Sequence, residues 1–422
     1  MSERRIAAAY QQARERYAEV GVDTEEALAR LAGVSLSLHC WQGDDVAGFE
    51  RPGAALSGGG IQVTGSHPGR ARTPEELRSD LKQALSLVPG RHRVNLHAIY
   101  GEFGGRPVDR DEIAPEHYRG WVDWARAEGL ALDFNATCFS HPKAASGLTL
   151  SHPDAGVRDF WIEHVKRCRA IGAYLGRQQG GPCVHNLWVP DGSKDLPADR
   201  WGPRARLRDS LDAVYAVEYD PRELKDAVES KLFGIGAESY TVGSHEFYLA
   251  YGLLRGKMIC LDLGHFHPTE SVADKLSSLL LFCDEVLLHI SRGVRWDSDH
   301  AVILSDEVRA VMEEIVRGDA LGRAHLALDY FDASINRVGA WVIGARAALE
   351  ALLVALLEPR QRILEAERAG EGFARLAWME QAKLLPFGAV WDEHCRRAGA
   401  PAGEAWIAEV REYGERVLSR RG

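Results

Sequence analysis

Residues 258–300 read MICLDLGHFHPTESVADKLSSLLLFCDEVLLHISRGVRWDSDH. Two apolar runs, 258–263 and 286–290, have the length and branching of strands buried on both faces, and the segment between them holds one helix near 272–281. A run, a helix and a second run make a parallel β/α unit. Asp262, His265, His289, Asp297 and Asp299 stand at or just past the ends of these runs, which is where α/β folds keep their chemistry.

Outward from this unit the same alternation continues in both directions. Strands are predicted at 34–40, 93–100, 131–137, 184–189, 224–233, 258–263, 285–290 and 325–331. Helices are predicted between them, the clearest at 74–87, where Thr73, Pro74 and Glu76 supply an N-cap, a first-turn proline and a capping-box acid. Eight units, with no glycine fingerprint after the first strand, predict a closed (β/α)8 TIM barrel rather than an open doubly wound sheet. Residues 1–33 read as N-terminal helices, the second capped by Thr24. The barrel spans 34–337, and its glycine-rich segment 41–72 has the length of a lid. From 338 to 422 the signal is helical only. Because a barrel needs only ~250 residues, this C-terminal extension is expected to serve oligomerisation.

Composition narrows the function classes. The chain has 422 residues, 45% of them hydrophobic, and carries 51 Lys and Arg against 61 Asp and Glu, a net charge of −10 that disfavours nucleic acid or an anionic membrane as partner. The first twenty residues are charged throughout, and no run of roughly eighteen uncharged apolar residues follows, so a cytoplasmic protein is expected. Seven scattered cysteines form no CxxC pair and predict free thiols.

The ends of strands five to eight each carry one acid or imidazole: Glu229, Asp262, His289 and Asp329. A charge inside an apolar strand is costly unless it is paired or metal-bound, and four neighbouring strand ends converge on one point in a barrel. These four residues are therefore read as one divalent-ion site. His265 with Asp297 and Asp299 forms a second, oxygen-rich set. Sites rich in carboxylate, with one imidazole and no sulfur, suit Mn²⁺, Mg²⁺ or Co²⁺ better than a structural Zn²⁺. Lys231 lies two residues from Glu229 and on an extended strand points the same way. His97, Asp133, Asn135 and Trp188 are strand-end residues placed to line the same cavity, with His39, Trp41, Ile61 and His67 as weaker candidates.

HCWQGDD at 39–45, VESKLFGIGAESYTVGS at 228–244, LDLGHFHPTE at 261–270, RWDSDH at 295–300 and LDYFDASINR at 328–337 closely resemble the bacterial L-rhamnose isomerases. The resemblance covers essentially the whole chain. It implies a cytoplasmic, tetrameric, Mn²⁺-dependent (β/α)8 enzyme converting L-rhamnose to L-rhamnulose, and its metal positions fall on the two sets already grouped. The expected reaction is a metal-assisted 1,2-hydride shift at a dinuclear site. Asp297 and Asp299 would orient the water that moves a proton between O2 and O1, Lys231 would donate to O1, and His97 would assist ring opening. A two-metal barrel hydrolase and an isomerase of another aldose are the alternatives.

Overall fold

The computed structural model describes residues 2–50, 63–295 and 297–421, with 297–299 described by backbone only. Eight strands close into one parallel barrel: β1 Ser35–His39, β2 Arg91–His97, β3 Ala131–Asn135, β4 Cys183–Trp188, β5 Leu224–Glu229, β6 Met258–Asp262, β7 Val286–Ile290 and β8 Ala324–Leu328. All eight match the strands expected from the sequence. β5 ends four residues early, at Glu229, and β2 and β8 each end three early, at His97 and Leu328, so Lys231 and Asp329 come from just beyond their strands.

Register sets the layers. Cα partners Trp188↔Glu229 and Asp262↔His289 pair strand ends at the C-terminal mouth, while Glu229↔Cys260 steps the register by two residues between β5 and β6. Beneath them Val184, Ala227, Met258, Cys260, Leu287 and Ala327 form a small apolar cluster apart from the main core. The facing side is polar: Asp133 accepts from Ser37 Oγ (2.7 Å), Arg93 Nη2 (2.7 Å) and the Val184 amide (2.9 Å). Asp133 is thus a structural acid turned away from the mouth, a correction to its expected place in the cavity wall. Its neighbour two residues on, Asn135, does line the mouth. A cavity of about 490 Å³ opens at the opposite, N-terminal end of the barrel among Ser35, Arg93, Asp133 and His325, away from the convergent acids.

Helix Arg337–Leu356 follows β8 and packs on helices Thr24–Ala32, Pro74–Ser86 and Asp306–Arg317 and on β1. It therefore sits in the outer helical ring, fixed by Trp341 Nε1 donating to the His39 carbonyl (2.8 Å). It is long and apolar enough to cross a membrane, but 83% of its apolar window is buried in the protein, as in a core helix. Four further helices follow, Arg360–Arg368, Gly372–Ala382, Phe387–Ala398 and Ala405–Arg416, and Phe387–Ala398 packs against the first helix, Glu3–Glu19. Asp23 rather than Thr24 caps the second helix, accepting from the Glu25 amide at 2.8 Å, while the Thr24 hydroxyl meets Tyr10 Oη at 2.9 Å. The cysteines are free, and all but Cys283 are buried.

Residues 51–62 of the expected lid, Ile61 included, lie outside the described residues. The flanks of that segment are anchored: Phe49 N donates to Ile99 O (2.7 Å), His67 N to Ala333 O (2.8 Å) and Ala71 N to Gly43 O (2.9 Å). Arg337 grips Asp45 with two bonds of 2.7 Å. Asp45 and Val46 adopt φ of 59° and 58°, a left-handed conformation that is costly for β-branched valine and is held here by that clamp. The result is a buried Val46 placed against the mouth.

Candidate functional site

β5, β6 and β7 each deliver a side chain from the strand itself, and Asp329 follows β8 directly. One ligand atom from each of Glu229, Asp262, His289 and Asp329 lies within 4.8 Å of all the others. His289 Nδ1 stands 3.0 Å from Asp329 Oδ2, 3.4 Å from Glu229 Oε2 and 3.9 Å from Asp262 Oδ2. Neither His289 nitrogen has a hydrogen bond of proper geometry, nor does Glu229 Oε1. Buried atoms left this way are expensive, so the geometry is that of ligands around a point rather than a chain of hydrogen bonds.

The outer oxygens are tied back. Asp262 Oδ1 accepts from Ser291 Oγ and from the Gly264 amide, both at 2.7 Å, and Asp329 Oδ1 accepts from Trp41 Nε1 at 3.0 Å. Each aspartate therefore turns its Oδ2 inward. Asn186 Nδ2 donates to Glu229 Oε2 at 2.5 Å. Supports of this kind orient the ligands of a metal and tune their basicity. Asn186 and Ser291 were not singled out from the sequence. The one signal available was that each is a polar residue within or just after a barrel strand.

The charges are strongly coupled. Burial, together with Glu229 and Asp329, pushes the Asp262 carboxyl up to about 6. Burial opposes charge on Glu229 too, but His289 and His265 outweigh it and hold that carboxyl below the usual range. Burial likewise opposes charge on His289, yet Cys260, Glu229 and Asp329 raise it well above its ordinary value. A divalent cation satisfies three acids converging on one imidazole, and the donor set fits such an ion.

His265 follows β6 on its loop. Its Nδ1 is 3.0 Å from the Ser230 carbonyl oxygen and 3.1 Å from Glu229 Oε1, and its ring stacks on Trp188 with centroids 6.2 Å apart. Lys231 Nζ lies 5.1 Å from the Trp188 ring centre. The structure thus brings His265, Lys231 and Trp188 to the four-residue centre. His97 ends β2 and lines the same cavity, with Nδ1 3.1 Å from Thr137 Oγ1. Burial lowers it to about 4, so the ring is neutral. His39, lowered by burial to about 3, packs edge-on against Trp41 and Tyr330. His67 is at the protein surface, its Nδ1 3.0 Å from the Pro68 carbonyl oxygen. The backbone of Asp297–His300 pairs antiparallel with Arg292–Val294 just after β7. The Asp297 and Asp299 side chains lie outside the described residues, so the second ligand set is described only at His265.

The L-rhamnose isomerase family model matches residues 4–421. An L-rhamnose isomerase of Rhodopirellula baltica is 58% identical over 416 residues, 99% of this chain and 97% of the relative. Those of Bacteroides thetaiotaomicron and Salmonella typhi are each 56% identical, covering 99% and 98% of this chain and 99% and 98% of their own lengths. With its closed barrel and clustered acids and imidazole at the C-terminal mouth, the chain belongs to the L-rhamnose isomerase family, aldose–ketose isomerases acting on a six-carbon deoxy sugar.

Proposed function

We propose that the mouth interconverts L-rhamnose and L-rhamnulose by a 1,2-hydride shift at two divalent-ion sites: Glu229, Asp262, His289 and Asp329 in one, and His265, Asp297 and Asp299 in the other. The observation that carries this reading is the convergence of three carboxylates and an imidazole whose outer oxygens are tied back. Bound there, divalent ions supply Lewis acidity toward the sugar's oxygens.

The chain's own groups do the rest. The hydrogen on C2 moves with its electron pair to C1 while the O2 proton is transferred to O1. Asp297 and Asp299 orient the water that relays this proton. Lys231, held over the Trp188 ring, donates to O1 as charge develops there. Neutral His97 has Nδ1 engaged by Thr137, so Nε2 is the atom turned to the ring oxygen in ring opening. Trp41, Phe139, Trp188 and Phe331 wall the cavity and exclude water from C1 and C2.

In the same reading the native ion is Mn²⁺ and the enzyme is a cytoplasmic homotetramer. Residues 41–72 form its lid, and the chain after 338 contributes to subunit contacts, with exposed Phe373, Leu376 and Leu384 as apolar surface. The test is ketose formation from L-rhamnose by purified protein. Activity is expected to vanish on chelation and return with Mn²⁺. Full turnover by protein verified to be metal-free would overturn the proposal.

A further inference from the structure

We propose that Cys260 gives this barrel a second, sulfur-containing ligand set, in which Glu229, Cys260 and His289 hold a thiophilic ion one layer beneath the carboxylate centre. The inference rests on the reading of that centre as a metal site and goes beyond it in ligand and in ion class.

Cys260 and Asp262 lie two apart on β6, so their side chains face the same way, with the thiol a layer deeper. In register Cys260 is the Cα partner of Glu229 on one side and of Leu287 on the other. Ligand atoms of Glu229, Cys260 and His289 all lie within 4.8 Å of one another, and the three residues are 2%, 1% and 1% exposed. Two of the three present buried atoms without a hydrogen bond, Glu229 Oε1 and the His289 ring nitrogens. Small neighbours, Ala227 and Ala327, flank the thiol in the layer below the acids. Among the described residues, Cys260 is the cysteine that joins such a cluster.

The two overlapping sets sort ions by softness. Mn²⁺ and Mg²⁺ prefer carboxylate oxygen, whereas Cd²⁺ and Zn²⁺ gain from sulfur. An ion that shifts down the axis exchanges Asp262 and Asp329 for Cys260 while keeping Glu229 and His289. Ligation forms a metal–sulfur bond and releases the thiol proton to solvent. Thiophilic ions therefore compete for two ligands of the upper site and draw them away from the position that faces the sugar.

The probe is Cd²⁺, added below stoichiometry to metal-stripped full-length protein and examined by cadmium-edge X-ray absorption. A Cd–S shell is expected in the native protein and only oxygen and nitrogen neighbours in Cys260→Ser and Cys260→Ala. In the same variants Cd²⁺ affinity should fall about tenfold or more while Mn²⁺ affinity stays within about twofold. An oxygen and nitrogen shell alone in the native protein overturns the proposal, as does a sulfur shell that persists in both variants. Equal loss of Cd²⁺ and Mn²⁺ affinity also overturns it, since that marks a merely structural thiol. Failure of Cd²⁺ and Mn²⁺ alike to bind the native protein sinks the metal-centre reading as well, which separates the two failures.

Discussion

Trp41 Nε1 donates to Asp329 Oδ1 across 3.0 Å, joining the turn after the first barrel strand to the residue after the last. The bond lies at the seam where the barrel closes and turns the other carboxylate oxygen toward His289. Trp41 also packs edge-on against His97, with centroids 4.7 Å apart. Trp41→Phe keeps an aromatic face and removes the donor. Lost supports of this kind weaken metal affinity by about 10–100-fold. We expect a loss near the lower end, because Asp329 keeps its place on the backbone. Titration against a chromogenic chelator measures it, and unchanged affinity would show that the bond orients nothing.

Chelation should destabilise the protein as well as silence it. Glu229, Asp262 and Asp329 surround one imidazole in a buried site, and Asp262 rises to about 6 among these neighbours. An ion held at a hundred times its Kd stabilises the native state by about 2.7 kcal/mol. For a chain of this size that corresponds to a melting temperature lower by roughly 3 °C after chelation, recovered when Mn²⁺ is restored. Identical melting curves with and without metal would argue against the four-residue centre as an ion site.

Much of this site can be read from the chain because parallel strands buried on both faces appear as unbroken apolar runs, and a charge that ends such a run stands out. Glu229, Asp262, His289 and Asp329 were legible for that reason. Asp133 has the same local appearance but was misplaced: whether an inward side chain faces the mouth or the floor depends on barrel register, and Arg93 and Ser37 on neighbouring strands claim it. Asn186 and Ser291 escaped notice because their role is to touch a ligand on another strand, a relation that no local pattern encodes. Helices Gly372–Ala382 and Phe387–Ala398 fall inside the stretch that reads as helical throughout, but the sequence sets no bounds for either, and the first leaves its apolar residues Phe373 and Leu376 exposed.

Glu350, on the helix that follows β8, should make stability fall with rising pH. Burial, reinforced by Asp392 and opposed by Arg346, raises its carboxyl to about 7, above an ordinary value near 4.5. The native state then holds a proton that the unfolded chain has released. This contribution is therefore fully present below about 4.5 and lost as pH rises through about 7. Glu350→Gln carries no such penalty. At pH 8 it should be more stable than the native chain by ~1–3 kcal/mol, with the difference closing toward pH 4.5. Denaturant midpoints measured from pH 5 to 8 give the comparison, and parallel profiles for the two proteins would refute it.

The proposed route of the C2 hydrogen can be tested against what walls the cavity. Trp41, Phe139, Trp188 and Phe331 line the cavity, and the carboxylates that line it among the described residues, Glu229 and Asp329, both belong to the four-residue centre. Among the described residues no further acid stands at the mouth to act as a base toward C2. A direct transfer from C2 to C1 needs no such base, whereas an enediol intermediate would hand its proton to a base in exchange with solvent. L-rhamnose converted in D₂O should therefore yield ketose with little deuterium at C1. Sugar labelled with deuterium at C2 should deliver that label to C1 and turn over more slowly. Substantial solvent deuterium at C1, read by mass spectrometry or NMR before equilibrium, would replace the hydride shift with proton abstraction and would direct the search for a base to Asp297 and Asp299.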